Sequence, residues 1–214
     1  MLPRLSKAEA DEQKADFVKV LDEAIIFAGF FVVPAMISLI ILAGPIIEGL
    51  FAYGAFSIDD AVMAAMALSA YAVGLPGFVL VKILQPAFYA VGRPGTVLKI
   101  SIMTIAINIT GSLILMPIFG HVGLALATSL SGLVAGVVMV VLLRRRRRLG
   151  LGSIGMMGRI FLATMIMAIL LFVFENFGSG LRHFMPAAFW LAGQVIFGGA
   201  AFFAAAVFFK AIPV

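Results

Sequence analysis

A few small polar residues inside long apolar runs are the first side chains of this 214-residue sequence that could do chemistry. Asn108 and Ser112 lie in one such run, and Thr128 lies in the next. Amide and hydroxyl oxygens are hard ligands that suit a small cation, and the same groups hydrogen-bond neighbouring helices in membranes. Asn108 precedes the intervening turn by about as many residues as Thr128 follows it, so we expect both at similar depth and facing one another. The sequence is compatible with both interpretations of these residues, a cation site and an interhelical hydrogen bond.

A second group combines basic and aromatic side chains near the end of another apolar run. Lys82 lies inside that run, close to its end, which favours a stem in lipid and an ammonium group among the headgroups. Tyr89 and Arg93 follow at the level where membrane proteins place aromatic and basic residues. We therefore predict that Lys82, Tyr89 and Arg93 contact a lipid or a lipid-linked substrate.

A third group consists of helix-weakening residues near the middle of the same run. Gly74, Pro76 and Gly77 stand within four positions of one another. Proline removes a backbone donor and glycine is a poor helix former, so the sequence predicts a hinge here. Pro34 and Pro45 predict kinks in the first apolar run for the same reason.

Patterns typical of enzymes and metal sites are missing. The sequence has no cysteine and two histidines, which excludes disulfides and thiolate sites and leaves little for a histidine metal site. It contains no Ser-His-Asp set, no HExxH motif and no phosphate-binding loop, so we expect no enzyme and no bound metal or cofactor. We interpret Asp59 and Asp60 as caps at the start of a helix.

The composition shows what must position these residues. Hydrophobic residues make up 64% of the chain and charged residues 12%, and the mean hydropathy is +1.20. A soluble domain is about a quarter charged, so the solvent that fits this chain is a bilayer. Six runs reach the ~20 residues that a spanning helix needs. We predict an all-α, polytopic membrane protein with spans at roughly 24–51, 61–84, 97–117, 122–143, 157–174 and 187–209.

The basic residues predict how these spans are oriented. Fourteen of the 15 lysines and arginines fall in the N-terminal segment, at alternate connections or at the C-terminus, and only Arg182 falls on the opposite side. Basic residues mark the cytoplasmic side, so both termini should be cytoplasmic. The run 144–148 reads as a topology anchor or an anionic-lipid contact, and its short length at a span end argues against nucleic-acid binding.

Several stretches resemble one known family, the MurJ (MviN-type) lipid II flippases of the multidrug/oligosaccharidyl-lipid/polysaccharide exporter superfamily. Residues 2–6 (LPRLS), 50–56 (LFAYGAF) and 74–90 (GLPGFVLVKILQPAFYA) resemble the family's LPxLS, LFxxGAF and GLPxFxxxKxxxxxFYA signatures. Asn108 and residues 123–129 (GLALATS) extend the resemblance. The combination is specific, although no single motif is.

The resemblance implies a location, a substrate and a division of the chain. Family members are multi-pass proteins of the bacterial cytoplasmic (inner) membrane that move a polyprenyl-linked peptidoglycan precursor to the outer leaflet. Residues 24–144 would be four helices of the second transporter bundle, 157–214 two additional helices proposed to form a groove for the lipid tail, 145–156 a basic loop and 1–23 an interfacial amphipathic lead-in. The expected partners are membrane lipids, the lipid-linked precursor, and the N-terminal bundle or cell-wall synthesis proteins.

The resemblance also raises the question of coupling, and other functions stay open. A sodium site proposed in the family uses an Asn, a Thr and acidic residues; here Asn108 and Thr128 match, whereas Ser112 stands at one acidic position. Coupling to sodium, to protons or to the membrane potential is therefore open. Export of another polyprenyl-linked glycan and a non-transporting remnant or accessory subunit are the alternative functions.

Overall fold

The computed structural model of the chain describes residues 2–51, 57–147, 152–177 and 187–212. The elements it describes are helices: α1 (Leu2–Ile41), α2 (Ala43–Phe51), α3 (Ile58–Ala90), α4 (Pro94–Phe119), α5 (His121–Arg147), α6 (Gly152–Phe177) and α7 (Ala187–Phe208). Six of them, all except the short α2, are long and apolar enough to cross a bilayer. The predicted all-α fold with six spans is confirmed.

The first span differs from the single kinked run expected over 24–51. α1 is one helix through Pro34, and the break falls at Leu42, before the separate helix α2. Pro45 explains this position, because it has no N–H to donate to the carbonyl group of Ile41, four residues earlier. The backbone of Leu42 keeps the two helices joined through hydrogen bonds of 2.8 Å to the turns on either side.

The segment expected as an interfacial lead-in, 1–23, is helical from Leu2 and continuous with the first span. The part of α1 that is apolar enough to span begins at Asp16. Leu21 is buried against the end of α3, and Phe17 packs against the same cluster. The end of the lead-in thus contributes to the helix core.

Two hydrophobic clusters hold the helices together, and α1 belongs to both. The first joins α1, α3, α4 and α5 through Leu21, Leu84, Ala87, Phe88, Val97, Ile100, Ala135, Met139 and Leu143. The second joins α1, α6 and α7 through Phe30, Ile160, Ala163, Met167, Leu171, Phe202, Ala205, Ala206 and Ala211. α6 and α7 are therefore anchored to the other helices along α1.

α3 begins with a capping box whose N-cap is Ser57, which corrects the expectation that the two aspartates cap the helix. The backbone N–H of Asp60 donates to Ser57 Oγ at 3.1 Å, and the backbone N–H of Ser57 donates to Asp60 Oδ2 at 3.3 Å. Asp59 and Asp60 occupy the first turn, where a negative charge is favourable next to the helix dipole.

Candidate functional site

α4 and α5 approach one another closely because small residues line their contact. A Cβ atom added at Gly123 would lie 2.3 Å from the carbonyl oxygen of Leu115, and one added at Gly111 would lie 3.1 Å from the Cβ of Ala127. Membrane helices use small residues in this way to bring backbones and short polar side chains together. This contact positions the predicted Asn and Thr.

Asn108 and Thr128 meet across the α4–α5 contact in a short chain of hydrogen bonds. Asn108 Nδ2 donates to Thr128 Oγ1 at 3.0 Å, and Thr128 Oγ1 donates to the carbonyl oxygen of Leu124 at 2.9 Å. Both side chains are half-buried. The Thr128 hydroxyl group thus donates its one proton to the backbone and accepts a hydrogen bond from the Asn108 amide. This is the arrangement of an interhelical hydrogen bond.

The remaining cation-site candidate does not join this chain of bonds. Ser112 lies one helical turn after Asn108 and is half-buried, and its hydroxyl group makes no hydrogen bond to another residue that the structure describes. Among those residues no three His, Cys, Asp or Glu side chains are grouped so that they could hold a metal ion. Asn108 moreover presents its amide N–H groups, and not its oxygen, to Thr128.

We expect Asn108→Ala to lower the stability of the protein by about 1 kcal/mol, which is the usual worth of one interhelical hydrogen bond in a membrane. For a chain of this size the loss corresponds to a melting temperature lower by about 3 °C. The measurement is thermal unfolding in detergent with sodium or potassium chloride.

Thr110→Ala is the matched control, because Thr110 is an exposed residue of the same helix, and it should leave the melting temperature unchanged. If sodium raises the melting temperature of the unmutated chain and Asn108→Ala abolishes the increase, the pair is a cation site and the hydrogen-bond interpretation is wrong.

The predicted hinge residues lie in an unbroken helix and pack tightly against α5. A Cβ atom added at Gly77 would lie 2.5 Å from the backbone of Gly132, and one added at Gly74 would lie 2.7 Å from the Cα of Ser129. α3 continues as a helix through Pro76. The structure therefore gives Gly74 and Gly77 a packing role, and bending at this point stays a prediction.

Ser129 is a residue of this contact to which the sequence pattern gave no particular role. It is buried, and its Oγ donates to the carbonyl oxygen of Ala70 at 2.6 Å, with Tyr71 O at 3.3 Å. The sequence feature that indicates this role is the spacing of Ser129, Gly132 and Gly136, which places three small residues on one side of α5. A serine in such a position can hydrogen-bond to the backbone of a neighbouring helix.

Lys82 and Tyr89 lie on one side of α3 near its end, and Arg93 follows the turn as the N-cap residue of α4. All three are exposed, and Gln85 lies between them, half-buried, with its Nε2 donating to the phenol oxygen of Tyr89 at 2.9 Å. Gly92 has a φ of 69°, a conformation that suits glycine, and the turn returns the backbone N–H of Arg93 to the carbonyl oxygen of Phe88. The three predicted residues are thus brought to the same end of the bundle.

α6 and α7 pair through stacked rings and a buried amide. Phe174 stacks on Trp190 and Phe197, with ring centroids 5.1 and 4.8 Å apart. Gln194 is fully buried, and its Nε2 donates to the carboxylate of Glu175. A cavity of about 230 Å³ lies beside this pair, lined by Phe31, Pro34, Ala35, Ser38, Leu42, Met167, Leu171, Gln194, Val195, Gly198, Gly199, Phe202 and Phe203.

A family model described as "Lipid II flippase MurJ" matches residues 1–206 of the chain. This chain belongs to the MurJ family. A probable MurJ lipid II flippase of Rickettsia prowazekii is 38% identical over 131 residues, which are 61% of this chain and 26% of the relative. The MurJ lipid II flippase of Burkholderia cenocepacia is 32% identical over 146 residues, which are 68% of this chain and 28% of the relative.

The fold agrees with that membership. A solved structure, a MurJ lipid II flippase in an inward closed conformation, superposes with a TM-score of 0.75 at 26% identity over 96% of this chain and 41% of that one. The chain therefore spans roughly a quarter to a third of the curated relatives' length, and less than half of the solved MurJ chain.

Proposed function

We propose that the chain forms part of a lipid II flippase, which moves the lipid-linked peptidoglycan precursor from the inner to the outer leaflet of the bacterial cytoplasmic membrane for cell-wall biogenesis. The observation that carries the proposal is the superposition of almost the whole chain on a solved MurJ flippase. Transport is tested by rescue of flippase-depleted cells with a relative that carries residues 1–206 of this chain.

The six spans supply one side of a transport pathway. A transporter with alternating access needs two bundles that move against each other around a central site, and the chain superposes on 41% of the solved flippase. We infer that the opposing bundle, or cell-wall synthesis proteins associated with it, faces this side. The exposed apolar row of α4, formed by Leu98, Ile102, Ile105, Ile109 and Leu113, is one surface available for lipid or for such helices.

The cavity between α1, α6 and α7 fits the hydrocarbon part of such a substrate. Its walls are almost entirely apolar, with Ser38 and Gln194 as the polar exceptions. Such apolar walls favour contact with an apolar ligand, because binding removes apolar surface from water. This supports the role of α6 and α7 as a contact for the lipid tail.

We also propose that no sodium ion is held between α4 and α5 in this chain. The Thr128 hydroxyl group accepts a hydrogen bond from Asn108 Nδ2 and donates its own proton to the carbonyl oxygen of Leu124. Ser112 brings no carboxylate to this contact. An oxygen cluster without a carboxylate binds a small cation weakly. Coupling of transport would then use protons or the membrane potential.

Cysteine labelling tests the orientation that the proposal requires, with both termini in the cytoplasm. The chain has no cysteine, so single cysteines can be introduced without other changes. Ile58 is 84% exposed and leaves the Ser57 cap intact, so Ile58→Cys should react with an impermeant maleimide added outside. Ser153→Cys should react only after the membrane is permeabilised. The reverse pattern would contradict the orientation and the proposed direction of transport.

A further inference from the structure

Polar groups near the end of α3 and in the turn after it form a set that we call the α3 stripe: Lys82, Gln85, Tyr89 and Arg93. The spacing of Lys82, Gln85 and Tyr89, three and four residues, places them on one side of α3, and Arg93 follows the turn as the N-cap residue of α4. All but the half-buried Gln85 are exposed. The stripe contains two cations and no carboxylate. Lys82 and Tyr89 are two turns apart, about 10 Å along the axis, which long side chains can bridge toward one anionic group.

The bond between Gln85 and Tyr89 prepares the phenol to act as a donor. Gln85 Nε2 donates to the phenol oxygen at 2.9 Å, so the phenol's own proton must point to another acceptor. Tyr89 is 49% exposed, so a ligand at the surface can supply that acceptor. The half-buried amide of Gln85 holds the phenol oxygen and leaves the phenol proton for such a ligand.

The charge of the α3 stripe limits the kind of ligand that it can bind. An anionic group would accept hydrogen bonds from Lys82, Tyr89 and Arg93. A ligand with a cation of its own would be opposed by Lys82 and Arg93.

We infer that the α3 stripe is a binding site for an anionic glycerophospholipid, whose phosphodiester accepts hydrogen bonds from Lys82, Tyr89 and Arg93. The stripe lies at the end of a span that finishes at Ala90, which is the level of the headgroups. Phosphatidylglycerol is such a lipid, whereas phosphatidylcholine carries a quaternary cation that Lys82 and Arg93 would repel. Gln85 is a positioning residue, since it acts through Tyr89. This inference does not depend on transport.

Native mass spectrometry of the full 214-residue chain tests the inference, with phosphatidylglycerol or phosphatidylcholine titrated into detergent. We expect phosphatidylglycerol to bind about tenfold more tightly than phosphatidylcholine. Two substitutions, Tyr89→Phe and Lys82→Gln, should each weaken the binding of phosphatidylglycerol about fivefold, which is the effect of one hydrogen bond or exposed ion pair. Tyr89→Phe removes only the hydroxyl group. Lys99→Gln, at an exposed lysine of α4 outside the stripe, should leave binding unchanged.

A double substitution separates positioning from folding. Gln85→Leu should weaken phosphatidylglycerol binding about as much as Tyr89→Phe, and combining the two should cause no further loss, since both remove the same contact. Melting temperatures of all variants should stay close to that of the unmutated chain. Equal affinity for both lipids, additive effects of the two substitutions, or an equal effect of Lys99→Gln would overturn the inference. Displacement of phosphatidylglycerol by an equimolar polyprenyl diphosphate would assign the stripe to a transport substrate instead.

Discussion

Gly77→Ala should be among the most destabilising single-methyl changes in this protein. The added Cβ atom would lie 2.5 Å from the carbonyl carbon and oxygen of Gly132 and from the backbone nitrogen of Leu133. Backbone atoms cannot rotate away as a side chain can, so α3 and α5 must separate along their whole contact. We expect a loss of about 3 kcal/mol, which lowers the melting temperature by about 10 °C.

Gly193→Ala is the matched control for this prediction. Gly193 lies in α7 with no atom within 4 Å of an added Cβ. Since alanine is the better helix former, this variant should melt at the same temperature or slightly higher. If Gly77→Ala has the same melting temperature as Gly193→Ala, α3 and α5 do not pack as described. The conformational flexibility of Gly77 would then be the better explanation for a glycine at this position.

The sequence was sufficient for the features that depend on regular periodicity and length. Six apolar runs predicted six spanning helices, because a bilayer demands a minimum length of continuous helix. The pairing of Asn108 with Thr128 followed from counting residues on both sides of one short turn, which fixes the relative depth of two antiparallel neighbours. Both predictions rest on the rise of the helix, which hardly varies.

Features that depend on the rotation of one helix against another could not be predicted. The hinge residues illustrate this, since glycine weakens a helix and also permits close packing, and only the position of α5 shows that Gly77 does the second. The Gln85–Tyr89 bond depends on rotamers that spacing alone leaves open. The break at Leu42 depends on the carbonyl group of Ile41, to which Pro45 cannot donate a hydrogen bond.

The proposed contribution of this chain to lipid II transport predicts an all-or-none result in cells. Residues 1–206 should replace the corresponding segment of the Burkholderia cenocepacia flippase, because the family match extends over the whole of that range. Cells depleted of their own flippase should grow normally with this chimera. The 214-residue chain expressed alone should not support growth, because it corresponds to 41% of the solved flippase and, on the proposed function, supplies one side of a two-sided pathway.

The most direct measurement is the amount of lipid II that reaches the outer leaflet of such depleted cells, detected with an enzyme that cleaves only externally exposed lipid II. The account predicts that the chimera restores exposure to the level given by the unmodified Burkholderia protein, and that the isolated chain stays at the level of depleted cells. A chimera that is folded and present in the membrane but exposes no lipid II would contradict the proposed function.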